Sequence, residues 1–244
     1  MGTYNTKTIL ITNQKGGVGK TFIADELCFM CEEAALPYTF RDMDGQGGCI
    51  HEPKEEKDPA LIIIDTPGAL TEGLQEAIRD ADLIIIPTLM TTACIPALET
   101  MLEIVKPWKM MGKDVLVVLN QWNRYTACAD FEEWFFNNYP REKTITLSDS
   151  EVIRQATSFG ISVTQHKKHS KSAVEMRVFR EVIMDMLLEK LKQQAMDTSP
   201  VVNDKRVKVT LSMTQEESNK LKKLAIDEGK TVSALVREWM YEKM

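Results

Sequence analysis

Short apolar runs recur along the first half of the chain, each bounded by polar or turn-forming residues. The runs that have the length of buried strands cover residues 8–12, 61–65, 82–88 and 114–120. A helical pattern follows the first run at residues 22–31, and similar stretches follow the last two. Strands that alternate with helices in this way predict an α/β fold with a doubly wound, mostly parallel sheet. A long helix predicted over residues 172–194 closes the domain.

The connection between the first strand and the first helix carries the most specific chemistry. Residues 15–21 read Lys-Gly-Gly-Val-Gly-Lys-Thr. In such a loop the glycines let backbone N–H groups turn inward around phosphates, and the helix N-terminus adds partial positive charge. Lys20 can reach the terminal phosphates, and the Thr21 hydroxyl can ligate Mg²⁺. The loop therefore predicts a nucleoside-triphosphate site.

Two acidic segments follow this loop in order. A short strand from residue 38 runs into Asp42 and Asp44, and a later apolar run ends in Asp65. A carboxylate at the carboxyl end of a central strand lies beside the phosphate loop, so Asp65 is predicted to hold Mg²⁺ through water. Asp44 is predicted to orient the attacking water, because phosphoryl transfer depends on positioning, and Asp42 to support the metal or the switch geometry. Taken alone, either of these two aspartates would be typical of a turn.

The three segments together resemble the ParA/MinD superfamily of partition and positioning ATPases, whose phosphate loop is a deviant Walker A motif. The resemblance depends on Lys15, which stands beside Gln14 where the ordinary loop has glycine. In that family the extra lysine crosses a two-fold interface and touches the partner's nucleotide. The resemblance implies a homodimer that sandwiches two ATP molecules; the alternative is an exposed loop lysine without this role.

The resemblance also implies roles for individual residues around ATP and Mg²⁺. The implied catalytic residues are Lys15, Lys20 and Asp44. The implied metal-binding residues are Thr21, Asp42 and Asp65. The residues expected to bind the nucleotide are Lys15, Gly16, Gly17, Val18, Gly19, Lys20, Thr21, Phe22 and Asn120.

Weaker similarities continue downstream. Asn120, at the end of its strand, matches the place where the family contacts adenine, although a plain strand cap is an equal alternative. Residues 148–156 and 158–163 resemble the family's base-enclosing loop and its last strand. One region departs from the family, since residues 45–59 are polar and predict a loop where relatives place a further strand and helix. This shortening puts the family's partner contacts at that surface in doubt.

Composition indicates the cellular compartment of the protein. The chain has 244 residues, of which 43% are hydrophobic, enough for a sizeable core. No run approaches the roughly 18 apolar residues of a membrane span, and no charged-then-apolar signal precedes the first strand. The five cysteines are odd in number and scattered over strand and helix patterns, which suggests reduced thiols. These features predict a cytoplasmic protein with no membrane partner.

The chain changes character near its C-terminal end. Residues 196–204 are polar and contain a proline, which predicts a linker. Strict alternation of polar and apolar residues over 206–212 predicts a strand. The capping-box pattern of residues 214–217 predicts the start of a helix, Gly229 predicts its end, and a second helix is predicted after it. A strand and two helices in about forty residues cannot bury a sufficient hydrophobic core by themselves. The segment is therefore predicted to dimerise.

This arrangement resembles the ribbon-helix-helix domain of CopG-type and Arc-type repressors, from Lys205 to the C-terminus. That family pairs two strands into an antiparallel ribbon that enters the major groove of DNA. The resemblance implies base contacts from the strand and a phosphate contact at the start of the second helix. The implied DNA-binding residues are Arg206, Lys208, Thr210, Thr231 and Ser233. A two-helix dimerisation tail is the alternative.

The predicted organisation is an ATPase domain at residues 1–195, a linker at 196–204 and a DNA-binding and dimerisation domain at 205–244. It indicates a ParA-like ATPase that partitions plasmids or chromosomes. Residues 201–244 carry nine Lys and Arg against seven Asp and Glu, whereas the rest of the chain is acidic, which favours DNA binding by the tail. The alternatives are a nucleotide-controlled transcriptional regulator and a MinD-like cargo-positioning ATPase. Whether the tail replaces a separate centromere-binding partner protein stays open.

Overall fold

A computed structural model describes residues 5–44, 48–68, 73–196, 220, 221, 223 and 224. The strands are β1 (Lys7–Ile11), β2 (Tyr38–Asp42), β3 (Leu61–Asp65), β4 (Leu83–Leu89), β5 (Asp114–Trp122) and β6 (Lys143–Ser148). The α-helices are α1 (Lys20–Glu33), α2 (Leu74–Asp80), α3 (Ile95–Met110), α4 (Thr126–Asn138), α5 (Glu151–Phe159), α6 (Val163–His166) and α7 (Lys171–Met196). A 3₁₀ turn at Thr92–Cys94 precedes α3.

The six strands form one sheet in the order β2-β3-β1-β4-β5-β6, and all neighbouring strands are parallel. Ile11 at the end of β1 pairs with Asp65 at the end of β3, and Asp65 pairs on its other side with Asp42. The carboxyl ends of the strands therefore meet at one edge of the sheet. The strand order changes direction at β1, where a doubly wound sheet forms its ligand crevice. The predicted parallel α/β fold is confirmed.

Helices cover both faces of the sheet because its strands are apolar on both faces. Ile9 and Ile11 of β1 belong to a core that they share with α1 and α7. Leu10, which lies between them, belongs to a second core with α2, α3 and α4. Continuous apolar runs are the usual result of burial on both faces. The predicted first and last helices are confirmed as α1 and α7.

The last strand of the sheet lies elsewhere than the family resemblance implies. It is β6, whereas residues 158–163 contain the end of α5 and the start of α6. Ser150 Oγ accepts a hydrogen bond from the Val152 N–H at 3.2 Å and so caps the start of α5. Gly160, with φ 65°, ends that helix in the left-handed conformation. The prediction of a strand at 158–163 is therefore wrong, because Gly160 ends one helix and Ser162 caps the start of the next within that segment.

Contacts along the chain divide it into two compact units, residues 1–198 and 199–244. The first unit contains the whole sheet. The predicted DNA-binding residues lie outside the described part of the chain, so the ribbon-helix-helix domain and its linker stay predictions; these residues are Arg206, Lys208, Thr210, Thr231 and Ser233. Among the helices that are described, none is long and apolar enough to cross a bilayer.

Candidate functional site

Glycines in left-handed backbone conformations shape the loop between β1 and α1. Gly17 has φ 74° and Gly19 has φ 99°, values that L side chains seldom adopt. Gly19 also lies against the Asn120 amide, so a Cβ atom at this position would overlap Asn120 Nδ2. Asn120 in turn donates a hydrogen bond to the Val18 carbonyl at 2.9 Å. A residue in β5 therefore helps to fix the shape of the phosphate loop.

The two lysines of the loop occupy different environments. Lys20 is buried, lines a cavity beside the phosphate loop and donates from Nζ to the Lys15 carbonyl at 3.4 Å. Burial lowers the pKa of Lys20, while the charges of Asp65 and Asp44 act in the opposite direction. The Lys15 side chain is exposed, whereas its backbone N–H donates to Asn13 Oδ1 at 2.9 Å. One lysine thus lies inside the site, and the other is available at the surface.

Asp65 is fully buried at the end of β3 and contacts the start of α1. Thr21 Oγ1 donates to Asp65 Oδ2 at 2.8 Å. Asp65 Oδ1 has no hydrogen-bond partner among the described residues. Burial raises the pKa of Asp65 to about 6, Thr21 and Lys20 oppose this shift, and Asp42 and Asp44 reinforce it. A cation at this carboxylate would satisfy the unpartnered oxygen and offset the cost of burying negative charge.

A cavity of about 550 Å³ lies between the phosphate loop and the segment that follows β3. Its lining residues are Gly16, Gly17, Gly19, Lys20, Thr21, Asp44, Pro67 and Gly68. The Asp44 N–H donates to Asp42 Oδ1 at 2.8 Å in the turn that follows β2. The structure thus brings together eight of the predicted site residues, namely Gly16, Gly17, Gly19, Lys20, Thr21, Asp42, Asp44 and Asp65.

A second cavity, of about 430 Å³, shares Gly19 with the first. Phe22 contributes apolar surface to it, and Asn120 and Ser150 contribute polar groups. The Asp149 N–H donates to the Trp122 carbonyl at 2.8 Å, which holds the chain after β6 beside the end of β5. A concave site with an apolar wall and a few polar groups suits a planar heterocycle. The predicted nucleotide residues Phe22 and Asn120 therefore line a cavity that adjoins the phosphate loop.

The loop after β2 also brings to the site a thiol that the sequence analysis did not select. Cys49 Sγ lies 3.5 Å from Asp42 Oδ2 and 3.8 Å from Asp65 Oδ2. Burial raises the pKa of Cys49, and the charges of Asp42 and Asp65 add to the shift. The cysteine lies in a polar, charged segment of the sequence with no periodic pattern, so only the folded chain reveals its neighbours.

Buried Asp25 of α1 anchors this loop. Its carboxylate accepts the backbone N–H groups of Ile50 and His51 at 3.0 Å and contacts His51 Nδ1 at 2.8 Å. Burial alone would lower the pKa of His51, but the bond to Asp25 and the charges of Asp25 and Glu32 raise it overall. The described part of the predicted loop, residues 48–59, has no helix or strand, and one isolated bridge joins it to β2. A charged residue in an apolar helix was the available signal for this anchor.

The residues present fit a complex of a nucleotide with Mg²⁺. This ion binds a few protein oxygens together with phosphate oxygens, and Thr21 and Asp65 offer such oxygens beside Lys20. A Cβ atom at Gly16 or Gly17 would meet no other atom within 4 Å, so there is room for a phosphate beside their backbone. These features define a P-loop nucleotide-binding protein: a parallel sheet, a glycine-rich loop at a helix N-terminus, and a buried aspartate at the end of the neighbouring strand β3.

The family follows from comparison with known proteins. The family model of the CobQ/CobB/MinD/ParA nucleotide-binding domain (CbiA) matches residues 9–238. The chain therefore belongs to this family, whose ParA and MinD branches are the ones that the sequence resembles. Among curated proteins, none matches the chain by sequence.

Solved structures share the fold at low sequence identity. McdA from Cyanothece, in a complex with ATP, has 17% identity and a TM-score of 0.59 over 82% of this chain and 100% of its own. A putative plasmid partition protein from Borrelia burgdorferi bound to AMPPNP has 16% identity and a TM-score of 0.57 over 76% of this chain and 100% of its own. The septum site-determining protein MinD from Pyrococcus horikoshii, in a complex with Mg-ADP, has 17% identity and a TM-score of 0.53 over 70% of this chain and 93% of its own.

Gly19→Ala is expected to destabilise the nucleotide-free protein by about 1–3 kcal/mol. Alanine would strain a backbone with φ 99° and would also overlap the Asn120 amide. Gly16→Ala is the matched control, because open space surrounds that position, and it should change stability by no more than about 0.5 kcal/mol. Urea unfolding of both variants measures the difference. Equal stabilities would contradict the close contact between Gly19 and Asn120.

Proposed function

We propose that the protein is a Mg²⁺-dependent ATPase that converts ATP to ADP and phosphate and forms an ATP-bridged homodimer. The observation that carries the proposal is the 2.8 Å contact between Thr21 and buried Asp65, with Lys20 lining the same cavity. The exposed side chain of Lys15 supports the dimer, because a lysine that contacts the partner's nucleotide must leave its own subunit's surface. Family membership and the nucleotide-bound structural relatives support the choice of ATP.

In this mechanism the backbone N–H groups of residues 16–21 and the Lys20 ammonium bind the phosphates. Thr21 and Asp65 would hold Mg²⁺, with Asp42 beside them, and the ion supplies charge neutralisation at the phosphates when bound. Asp44 accepts a hydrogen bond from the attacking water and directs it toward the terminal phosphate. The partner's copy of Lys15 adds positive charge where negative charge develops, so turnover requires the dimer.

We infer a cellular role in plasmid or chromosome partitioning, with DNA bound by the second unit. The alternating pattern at residues 206–212 and the basic balance of residues 201–244 support DNA binding. DNA-stimulated ATP turnover would favour partitioning. Binding to DNA upstream of the protein's own gene, without any effect on turnover, would instead favour a nucleotide-controlled regulator. ATP-dependent positioning of a cargo that does not require DNA binding would favour a MinD-like role.

Asp44→Ala is expected to bind ATP normally and to hydrolyse it at about a hundredth of the wild-type rate or below. ATP-bound dimers should therefore accumulate. The reason is that Asp44 lines the cavity and is proposed to orient water rather than to hold the nucleotide. Asp58→Ala, an exposed aspartate of the following loop, is the matched control and should behave as wild type. Phosphate release and light scattering measure the two effects. Wild-type turnover by Asp44→Ala would refute the assignment.

Arg206→Ala and Lys208→Ala are each expected to weaken binding of the full chain to its preferred DNA by about 1–3 kcal/mol and to reduce discrimination among sites. The site itself can be selected from a random-sequence DNA pool. Lys223→Ala, whose side chain is exposed, is the control and should matter less. Titrations with ATP, with ADP and without nucleotide show whether the two units communicate. Equal affinities under all three conditions would mean that they are merely tethered.

A further inference from the structure

Cys49 places a sulfur atom among the oxygens of the carboxylates beside the phosphate loop. Its Sγ lies 3.5 Å from Asp42 Oδ2 and 3.8 Å from Asp65 Oδ2. The ligand atoms of these three residues all lie within 4.8 Å of one another. Sulfur is a poor ligand for Mg²⁺ but a good one for zinc and other thiophilic divalent cations.

The spacing of these atoms suits a tetrahedral metal. With Zn–S near 2.3 Å and Zn–O near 2.0 Å, a tetrahedral angle separates sulfur from oxygen by about 3.5 Å. The two observed sulfur–oxygen separations are 3.5 and 3.8 Å, so Cys49 lies close to the tetrahedral distance from each carboxylate. The edges of an octahedral magnesium site are shorter, about 3.0 Å between ligand oxygens.

Surrounding contacts hold two of the three residues in place. The Asp44 N–H occupies Asp42 Oδ1, which leaves Oδ2 for the cluster. Buried Asp25 holds the backbone of Ile50, the residue next to Cys49. Such outer contacts tune metal sites by fixing the ligands.

The other carboxylate oxygen of Asp65, Oδ1, also indicates a ligand, whereas Oδ2, the oxygen near Cys49, accepts from Thr21. Asp65 is 0% exposed, and its Oδ1 has no hydrogen-bond partner among the described residues. A buried carboxylate oxygen without a partner is costly, and a bound cation removes that cost.

We propose that Asp42, Cys49 and Asp65 form a binding site for a thiophilic divalent cation such as Zn²⁺, with water in the fourth position. The site shares Asp65 with the Mg²⁺ position, so zinc and the magnesium–nucleotide complex exclude each other. Zinc therefore holds the protein in an inactive state, a consequence that rests on the proposed ATPase function. The metal site itself is independent of that function, since it requires no nucleotide.

The test titrates Co²⁺, a spectroscopic substitute for Zn²⁺, into the nucleotide-free full chain. One Co²⁺ should bind with a thiolate-to-metal charge-transfer band in the near ultraviolet, and Zn²⁺ should displace it. Cys49→Ser should lose the band and weaken binding by at least about tenfold. Cys94→Ser, which alters a buried cysteine outside the cluster, should keep both. An unchanged band and affinity in Cys49→Ser, or no band in the wild type, would overturn the proposal and leave Cys49 as a hydrogen-bond donor.

A second measurement separates this proposal from the proposed function. The ratio of ATP turnover without and with Zn²⁺ should be larger for the wild type and Cys94→Ser than for Cys49→Ser. Normal turnover without a cobalt band would sink the metal site and leave the ATPase standing. A cobalt band that depends on Cys49, in a protein without ATP turnover, would support the metal site and refute the ATPase function. Equal zinc inhibition of all three proteins, with the band present, would show that zinc acts elsewhere and overturn the exclusion.

Discussion

Lys15→Ala is expected to abolish ATP-dependent dimerisation and to slow ATP turnover by about 10³-fold, the scale of a cationic residue supplied in trans to a phosphoryl group. Binding of ATP by the monomer should survive, because the contacts that Lys15 makes to Asn13 and Lys20 use its backbone, which alanine retains. The substitution thus removes an exposed side chain and leaves the phosphate loop intact. Light scattering with ATP and a single-turnover assay measure the two losses.

Two further variants make this result specific. Lys20→Ala should lose ATP binding itself, since Lys20 lines the cavity within its own subunit. Lys57→Ala removes an exposed lysine from the loop before β3 and should leave both dimerisation and turnover unchanged. A Lys15→Ala protein that forms as much ATP-induced dimer as the wild type would exclude the sandwich arrangement. If Lys15→Ala instead lost ATP binding as fully as Lys20→Ala, its role would lie within one subunit.

The sheet and the phosphate loop could be predicted because local sequence determines them. Strands buried on both faces must be continuously apolar, and this made β1, β3, β4 and β5 recognisable. The glycines of the loop are needed for backbone conformations that other residues avoid, as the φ angles of Gly17 and Gly19 show. Asp65 was predictable for a similar reason, since it follows directly on an apolar run and the sheet topology brings strand ends together.

Contacts between distant parts of the chain could not be predicted in this way. Arg180 of α7 donates to Glu26 of α1 at 2.8 Å and to Ser162 at 2.9 Å, and the first pair is separated by 154 positions in the sequence. Burial raises the pKa of Glu26, while the Val163 N–H and Arg180 oppose the shift. Nothing in the local pattern of either helix pairs these groups. The position of Cys49 beside Asp65 likewise depends on the anchor that Asp25 provides, not on any motif.

The predicted strand at residues 158–163 failed for a different physical reason. Short apolar segments are ambiguous between strand and helix, and caps decide between the two. Here Ser150 and Gly160 delimit a helix, and Ser162 starts another by accepting the Thr164 N–H at 3.1 Å. These caps, and the alternation of Thr with Ile and Leu in β6, are the sequence signals that distinguish the helices from the last strand.

Asp65→Asn is expected to make the nucleotide-free protein more stable at pH 8 while it abolishes Mg²⁺-dependent turnover. Burial raises the folded-state pKa of Asp65 from 3.8 to about 6, so the folded protein pays to hold the ionised carboxylate. The stability associated with a raised pKa is fully present below the unfolded value and is lost as the pH rises through the folded one. Asparagine removes this pH-dependent loss and can still accept the hydrogen bond from Thr21.

The gain should reach up to about 3 kcal/mol at pH 8, from about two pKa units at 1.36 kcal/mol each, and should shrink steadily between pH 6 and pH 4. Urea unfolding of the wild type and Asp65→Asn across this range measures it. Asp58→Asn, which changes an exposed aspartate in the loop before β3, is the matched control. A gain that is equal at pH 8 and pH 4 would mean that the ionisation of Asp65 is not its cause. A loss of stability at pH 8 would mean that the ionised carboxylate supports the fold.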